Sequence, residues 1–254
     1  MTNRLLCCVP LVVGLCLFTP ATAQDFNPYS APYSGVGGLG LITNQTAITQ
    51  AAIGRRATES AARRSALKLQ TENGAINSSI LSFKTSLALR QQNYARFVEK
   101  TRMVDPKGAA DMARAFAASD LIASMGPALS PYGLRTDNVA DAYSVYWVTA
   151  WLASKGRQEQ GSRAQFQAVR AQAANALLST DQFRQASDAQ KQEFAEALLV
   201  QALMIGAAAE NAKSDPALKR QVAVAVNKGA KAIGLDLEAL MLIEEGFRTS
   251  TGAR

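Results

Sequence analysis

The chain has 254 residues, with 27 basic and 20 acidic side chains, a formal net charge of +7 and no histidine. Its three cysteines, Cys7, Cys8 and Cys16, all lie near the start. Beyond them the polypeptide carries neither thiol nor imidazole, which excludes a Ser-His-Asp triad, a Cys-His pair and the common zinc sites.

Arg4 precedes an apolar run from Leu5 to Phe18, followed by Thr19-Pro20 and the small-residue site Ala21-Thr22-Ala23. This is the pattern of a secretory signal peptide over residues 1–23, with cleavage expected before Gln24. The run is shorter than the ~18 residues of a spanning helix, and Pro20 interrupts it. A lipid-accepting cysteine would follow a small residue, but Leu15 precedes Cys16 and Cys8 comes too early. The expected location is periplasmic or secreted. A mature chain of about 230 residues then has no disulfides, so burial must supply its stability, and it is long enough for one good core. Loss of Arg4 leaves 26 basic against 20 acidic side chains. That balance favours an anionic partner (phospholipid, lipopolysaccharide, another envelope polymer or nucleic acid), of which export makes nucleic acid the least natural, and a protein partner is the other expectation.

Residues 24–44 are rich in Pro, Gly, Ser and Tyr without helical period and read as a flexible spacer. Residues 45–79 form a basic helical or partly disordered arm. Its Arg55, Arg56, Arg63 and Arg64 stand among Ala and long polar residues, with Arg56 and Arg63 seven apart and so aligned on one helix face. The arm is either a contact for an acidic surface or simply a solvated helix.

A helical domain is expected over 80–247, with a polar, disordered tail at 248–254. After an extended entry at Ser82-Phe83, Leu87, Tyr94, Phe97 and Val98 recur at helical spacing. Asp105-Pro106 supplies an N-cap and first-position proline ahead of Ala109, Met112, Ala113 and Phe116. Ser119 is read as the cap of a short helix, broken at Gly126-Pro127 and Ser130-Pro131-Tyr132-Gly133. Thr136-Asp137 opens a helix from Asn138 to about Ser154, closed by Gly156. Phe166, Val169, Ala173 and Leu177 mark the next helix. Ser187 and Gln190 form a capping box before a long one. Ser214-Asp215-Pro216 starts another, carrying Leu218, Val222, Ala225 and Ile233, with Gly234 as the stop. A last short helix is expected from Leu237 to Glu245, ending at Gly246-Phe247. No segment shows period-two alternation between hairpin turns, so the class is all-α, an irregular multi-helix domain.

The strongest local feature is Asn138 to Trp151, which is apolar nearly all round and holds both tryptophans. Such a helix is surrounded by others. Asp141 is its one charge and, if buried, must find a donor or cation, or its pKa must rise. A functional reading makes Asp141 an acid or ligand contact beside Tyr143, Tyr146, Trp147 and Trp151. A structural reading makes it a tether to the Tyr132-Gly133-Leu134 turn or to a nearby arginine. Asp137 with Asp141, and Glu193 with Glu196, are spaced to share a helix face. A glycosidase, however, needs two carboxyls flanking one bond, usually from different elements. No cofactor or metal site is legible.

Several pieces together resemble a family of uncharacterised exported bacterial proteins, a domain of unknown function. They are Val104-Asp105-Pro106, Tyr132-Gly133-Leu134, Asn138-Val139-Ala140-Asp141-Ala142, the Tyr146-Trp147 and Trp151 aromatics, Lys191-Gln192-Glu193 and Gly246-Phe247. The likeness covers most of the chain beyond about Ser82. It implies a bacterial source and an envelope or extracellular location, and brings no activity. The reading is therefore a non-enzymatic binding protein of the cell envelope. The alternatives are a carboxylate-dependent hydrolase of envelope polymer, using Asp141 or Glu193, and a secretion- or pilus-associated subunit.

Overall fold

The computed structural model describes residues 79–250 apart from Val104, Thr180, Ile233 and Gly234. The leader, the spacer, the basic arm with Arg55, Arg56, Arg63 and Arg64, and residues 251–254 lie outside the described residues. The described region is all-α, with one small two-stranded sheet.

The chain enters in extended form. Ser82 bridges Asn138, Phe83 N–H donates to the Asp137 carbonyl at 3.0 Å, and Val139 N–H donates to the Leu81 carbonyl at 3.0 Å. Helix α1 (Leu87–Arg102) follows, capped by the Ser86 hydroxyl. Its buried face is Arg90, Tyr94, Phe97, Val98 and Thr101. Leu87, read from its spacing as part of the apolar stripe, is 65% exposed, and Arg90 occupies the inward position instead. Helix α2 (Pro106–Ala118) starts as expected, with the Asp105 carboxylate accepting from Gly108 N–H at 2.8 Å.

The next cap differs from expectation. Ser119 closes α2, while Asp120 caps the short α3 (Leu121–Ser124) by accepting from Ala123 N–H. Carboxylate and hydroxyl are comparable caps, and the carboxylate one position later also meets Arg90 and Tyr94. Helix α4 (Gly126–Leu129) and a 3-10 turn (Ser130–Tyr132) end at Gly133, whose φ of 69° is the left-handed conformation a glycine adopts without strain.

Helix α5 (Val139–Ser154) is the axis of the molecule. All of its residues except Thr149 and Leu152 are buried. Asn138, rather than Thr136 or Asp137, is its cap, its side-chain oxygen accepting from both Ala140 and Asp141 N–H. Around α5 pack α6 (Arg163–Leu178), α8 (Asp188–Asn211) and α9 (Pro216–Ala232), with the short α7 (Asp181–Arg184) between α6 and α8. Helices α1 and α2 pack together, and α1 lies on α8. Capping boxes start α6 (Ser162 with Gln165) and α8 (Ser187 with Gln190).

The terminal helix expected over Leu237–Glu245 does not form. A 3-10 turn (Leu237–Ala239) leads into antiparallel strands β1 (Leu240–Ile243) and β2 (Gly246–Thr249), with Leu242 opposite Phe247. The second strand runs past the Phe247 boundary of the sequence reading. An apolar run as short as Leu240–Ile243 does not distinguish helix from strand by periodicity. Tertiary hydrogen bonds decide it. The Leu240 carbonyl accepts from Trp151 Nε1 at 3.0 Å, and the Gln172 amide pairs with both the N–H and the carbonyl of Phe247 at 2.9 Å each.

Candidate functional site

Asp141 sits in the first turn of α5, 1% exposed. One carboxylate oxygen accepts from Arg170 Nε on α6, and the other accepts from the Arg135 N–H at 3.0 Å. Arg135 extends the arrangement. Its guanidinium donates to the Ser82 hydroxyl at 2.6 Å and lies 3.2 Å from an Asp137 oxygen, and Asn138 Nδ2 donates to the same hydroxyl at 3.0 Å. Four segments therefore meet here: the extended entry, the turn after Gly133, α5 and α6. Burial pushes the Asp141 carboxyl above its ordinary range, while Arg170 and the Arg135 N–H pull it back. The geometry is that of a tether between elements. Asp137, by contrast, has a side chain 41% exposed and faces Arg135, so the two aspartates have different surroundings.

The aromatics around Asp141 are packed into the interior. Tyr143, Tyr146, Trp147 and Trp151 are 6%, 2%, 1% and 5% exposed. Tyr146 meets Trp147 edge-on at 4.8 Å between ring centres, and Tyr143 meets it tilted at 5.8 Å. Trp151 donates to the terminal hairpin and is flanked by Arg157, 5.3 Å from its ring. These rings fill the centre of the fold, where large aromatic surface stabilises most.

A second polar centre, which sequence reasoning missed, joins α1, α3 and α8. Glu196, 1% exposed, accepts from Arg90 Nε at 2.7 Å, from Asn93 Nδ2 at 2.7 Å and from Gln192 Nε2 at 2.9 Å. Arg90 also donates to Asp120 at 2.7 Å, and the Tyr94 hydroxyl donates to the same carboxylate at 3.1 Å. The Tyr94 oxygen in turn accepts from Ile122 N–H at 3.1 Å. Gln192 pairs with both backbone groups of Ser86 at 2.8 Å each.

A buried ion pair is tolerable when further hydrogen bonds satisfy it, and the Glu196 carboxylate has three donors, though Asn93 Oδ1 beside it is buried without a partner among the described residues. Burial alone would lower the Arg90 pKa, but the two carboxylates outweigh it and hold the guanidinium above its ordinary value. Asp120 is held below its ordinary range: its partial burial acts upward, and the Ala123 N–H, Arg90 and Tyr94 outweigh that. The Tyr94 hydroxyl, buried beside Asp120, is pushed up to about 12. Glu193, three residues from Glu196, lies at the surface and pairs with Arg96 at 2.7 Å. The signal that could have found this centre is the placement of Arg90 on the face of α1 shared by Tyr94, Phe97 and Thr101.

Among the described residues no group of acidic side chains converges to hold a metal ion, and no helix is long and apolar enough to cross a membrane. Fold and polar centres together define an all-α domain whose buried carboxylates serve as junctions between helices. The chain belongs to the family of unknown function DUF6683, whose profile matches residues 4–250. No curated protein and no solved structure matches it.

Proposed function

We propose that this is an exported bacterial protein of the cell envelope that acts by binding rather than by catalysis. The observation that carries the non-enzymatic part is the commitment of the two buried carboxylates among the described residues to internal cations, Asp141 to Arg170 and Glu196 to Arg90. A general acid or nucleophile needs access to substrate, and neither group has it. The hydrolase alternative would rest on Asp141 or on Glu193, a surface residue paired with Arg96. Export is supported by the Arg4 to Ala23 pattern. The basic arm with Arg55, Arg56, Arg63 and Arg64 suits an anionic envelope component.

The test is fractionation of bacteria expressing the full-length gene, with mass spectrometry of the recovered protein. A species beginning at Gln24 in periplasm, envelope or medium is expected. Full-length protein confined to the cytoplasm overturns the reading. If any hydrolytic activity is found, Asp141→Asn separates roles: a tether variant melts earlier, whereas a catalytic variant stays folded and loses turnover.

A further inference from the structure

Helix α9 has a face that the core does not use. Val226 and Ala230 are buried and Val222 is partly so, turned toward α5 and α8. On the opposite side Ala217, Arg220, Gln221, Val224, Lys228 and Lys231 are exposed. At 3.6 residues per turn these six fall within an arc of about 100°. Val224, in the middle of that arc, is 66% exposed. The helix contains no acidic residue.

Among the described residues Lys107 on α2 and Arg163 on α6 are exposed and make no ion pair, but each stands singly, whereas α9 groups its cations on one face. Arg102, Arg114 and Arg184 each pair with an acid three residues away on their own helix. Among the described residues Arg220 and Lys228 make no ion pair, and only Lys231 has a partner, Glu238 at 2.7 Å. Asp236 also acts on Lys231, while Asp215 is engaged in capping α9, accepting from Ala217 and Leu218 N–H.

We propose that this face of α9 binds the surface of an anionic phospholipid bilayer. From Arg220 to Lys231 the cations spread over roughly 16 Å of helix at 1.5 Å per residue. Spaced along the helix, they do not form one compact cluster. A single small anion cannot engage such an array, whereas a plane of headgroups can. Val224 lies where an apolar side chain meets the headgroup boundary when a helix rests flat on a membrane. The contact is electrostatic adsorption, and it adds to any attraction exerted by the basic arm.

This inference rests on the envelope reading and can fail separately from it. The full-length gene product, purified as its host processes it, is sedimented with vesicles of phosphatidylglycerol and phosphatidylethanolamine, and with phosphatidylcholine vesicles. Binding to the anionic vesicles only, weakening with added salt, is expected. The Arg220→Gln, Lys228→Gln, Lys231→Gln triple variant should bind on the order of 100-fold more weakly, since each cation at a charged membrane contributes about fivefold. All three positions are exposed, and an unchanged thermal midpoint verifies the fold.

The Arg102→Gln, Arg114→Gln, Arg184→Gln triple variant removes the same charge elsewhere and should bind as the parent does. Three results overturn the inference: no binding to anionic vesicles, an α9 variant that binds like the parent, or equal losses in both triple variants. An exported protein giving any of these retains the envelope reading and loses only the α9 surface. Cytoplasmic confinement refutes the envelope reading whatever the vesicles show.

Discussion

Asp141 and Asp120 are both carboxylates at helix N-termini, and burial acts upward on both, yet their net shifts are opposite. Asp141 is sealed, and desolvation outweighs its donors, whereas Asp120 has a side chain 34% exposed and its donors win. Replacing Arg170 with Met leaves the Asp141 carboxyl buried without its cation. That change should destabilise the protein by about 3 kcal/mol in urea unfolding at neutral pH, with partial recovery in the Asp141→Asn, Arg170→Met double variant. Asp120 supplies a pH test. Its pKa is lower folded than unfolded, so its contribution is full above the ordinary carboxylate pKa and is lost as pH falls through the depressed value. The thermal midpoint should therefore drop on acidification below about pH 4, and Asp120→Asn should make that drop shallower. An equally steep drop in both proteins would remove Asp120 from the explanation.

The terminal hairpin shows how an element can depend on one distant side chain. Gln172, on α6, holds both backbone groups of Phe247, and Gly246 beside it has a φ of 99°. A Cβ on Gly246 would stand 2.5 Å from Gln172 Oε1. Gly246→Ala thus combines left-handed strain with displacement of the amide and should cost about 1–3 kcal/mol. Gln172→Ala should leave the helices folded while the amides of residues 246–249 exchange faster with solvent, and equal protection in the variant would refute the role. The rest of the element reading follows from how local each signal is. The caps at Asp105 and Ser187 and the proline starts at Pro106 and Pro216 were legible because they act within one turn. Leu240–Ile243 was not, because its anchor at Trp151, and that of the adjacent strand at Gln172, come from elsewhere in the chain.

At the scale of the fold, two polar junctions among the described residues join the helices, one at Asp141 and one at Glu196. Glu196→Ala leaves Arg90 buried beside a vacated partner and removes the acceptor for Asn93 and Gln192, so a loss of about 3–5 kcal/mol is expected in chemical denaturation. A loss under 1 kcal/mol would mean that the network is not coupled to global stability. The sequence alone determined the absence of thiol and imidazole chemistry beyond the first residues, the helical class, and the position of the apolar helix around Asp141. Those are matters of composition and short-range periodicity, which require no knowledge of neighbours. It also marked Asp141 as a charge in need of a partner. Which partner it has was decided only by the tertiary structure. Arg170 lies 29 residues away on α6, and the Arg90–Glu196 pair is separated by 106 residues. Arg90's place on the inward face of its helix is a local mark of burial, but no local signal names the acid that either cation meets; only the packing of the helices brings each to its carboxylate.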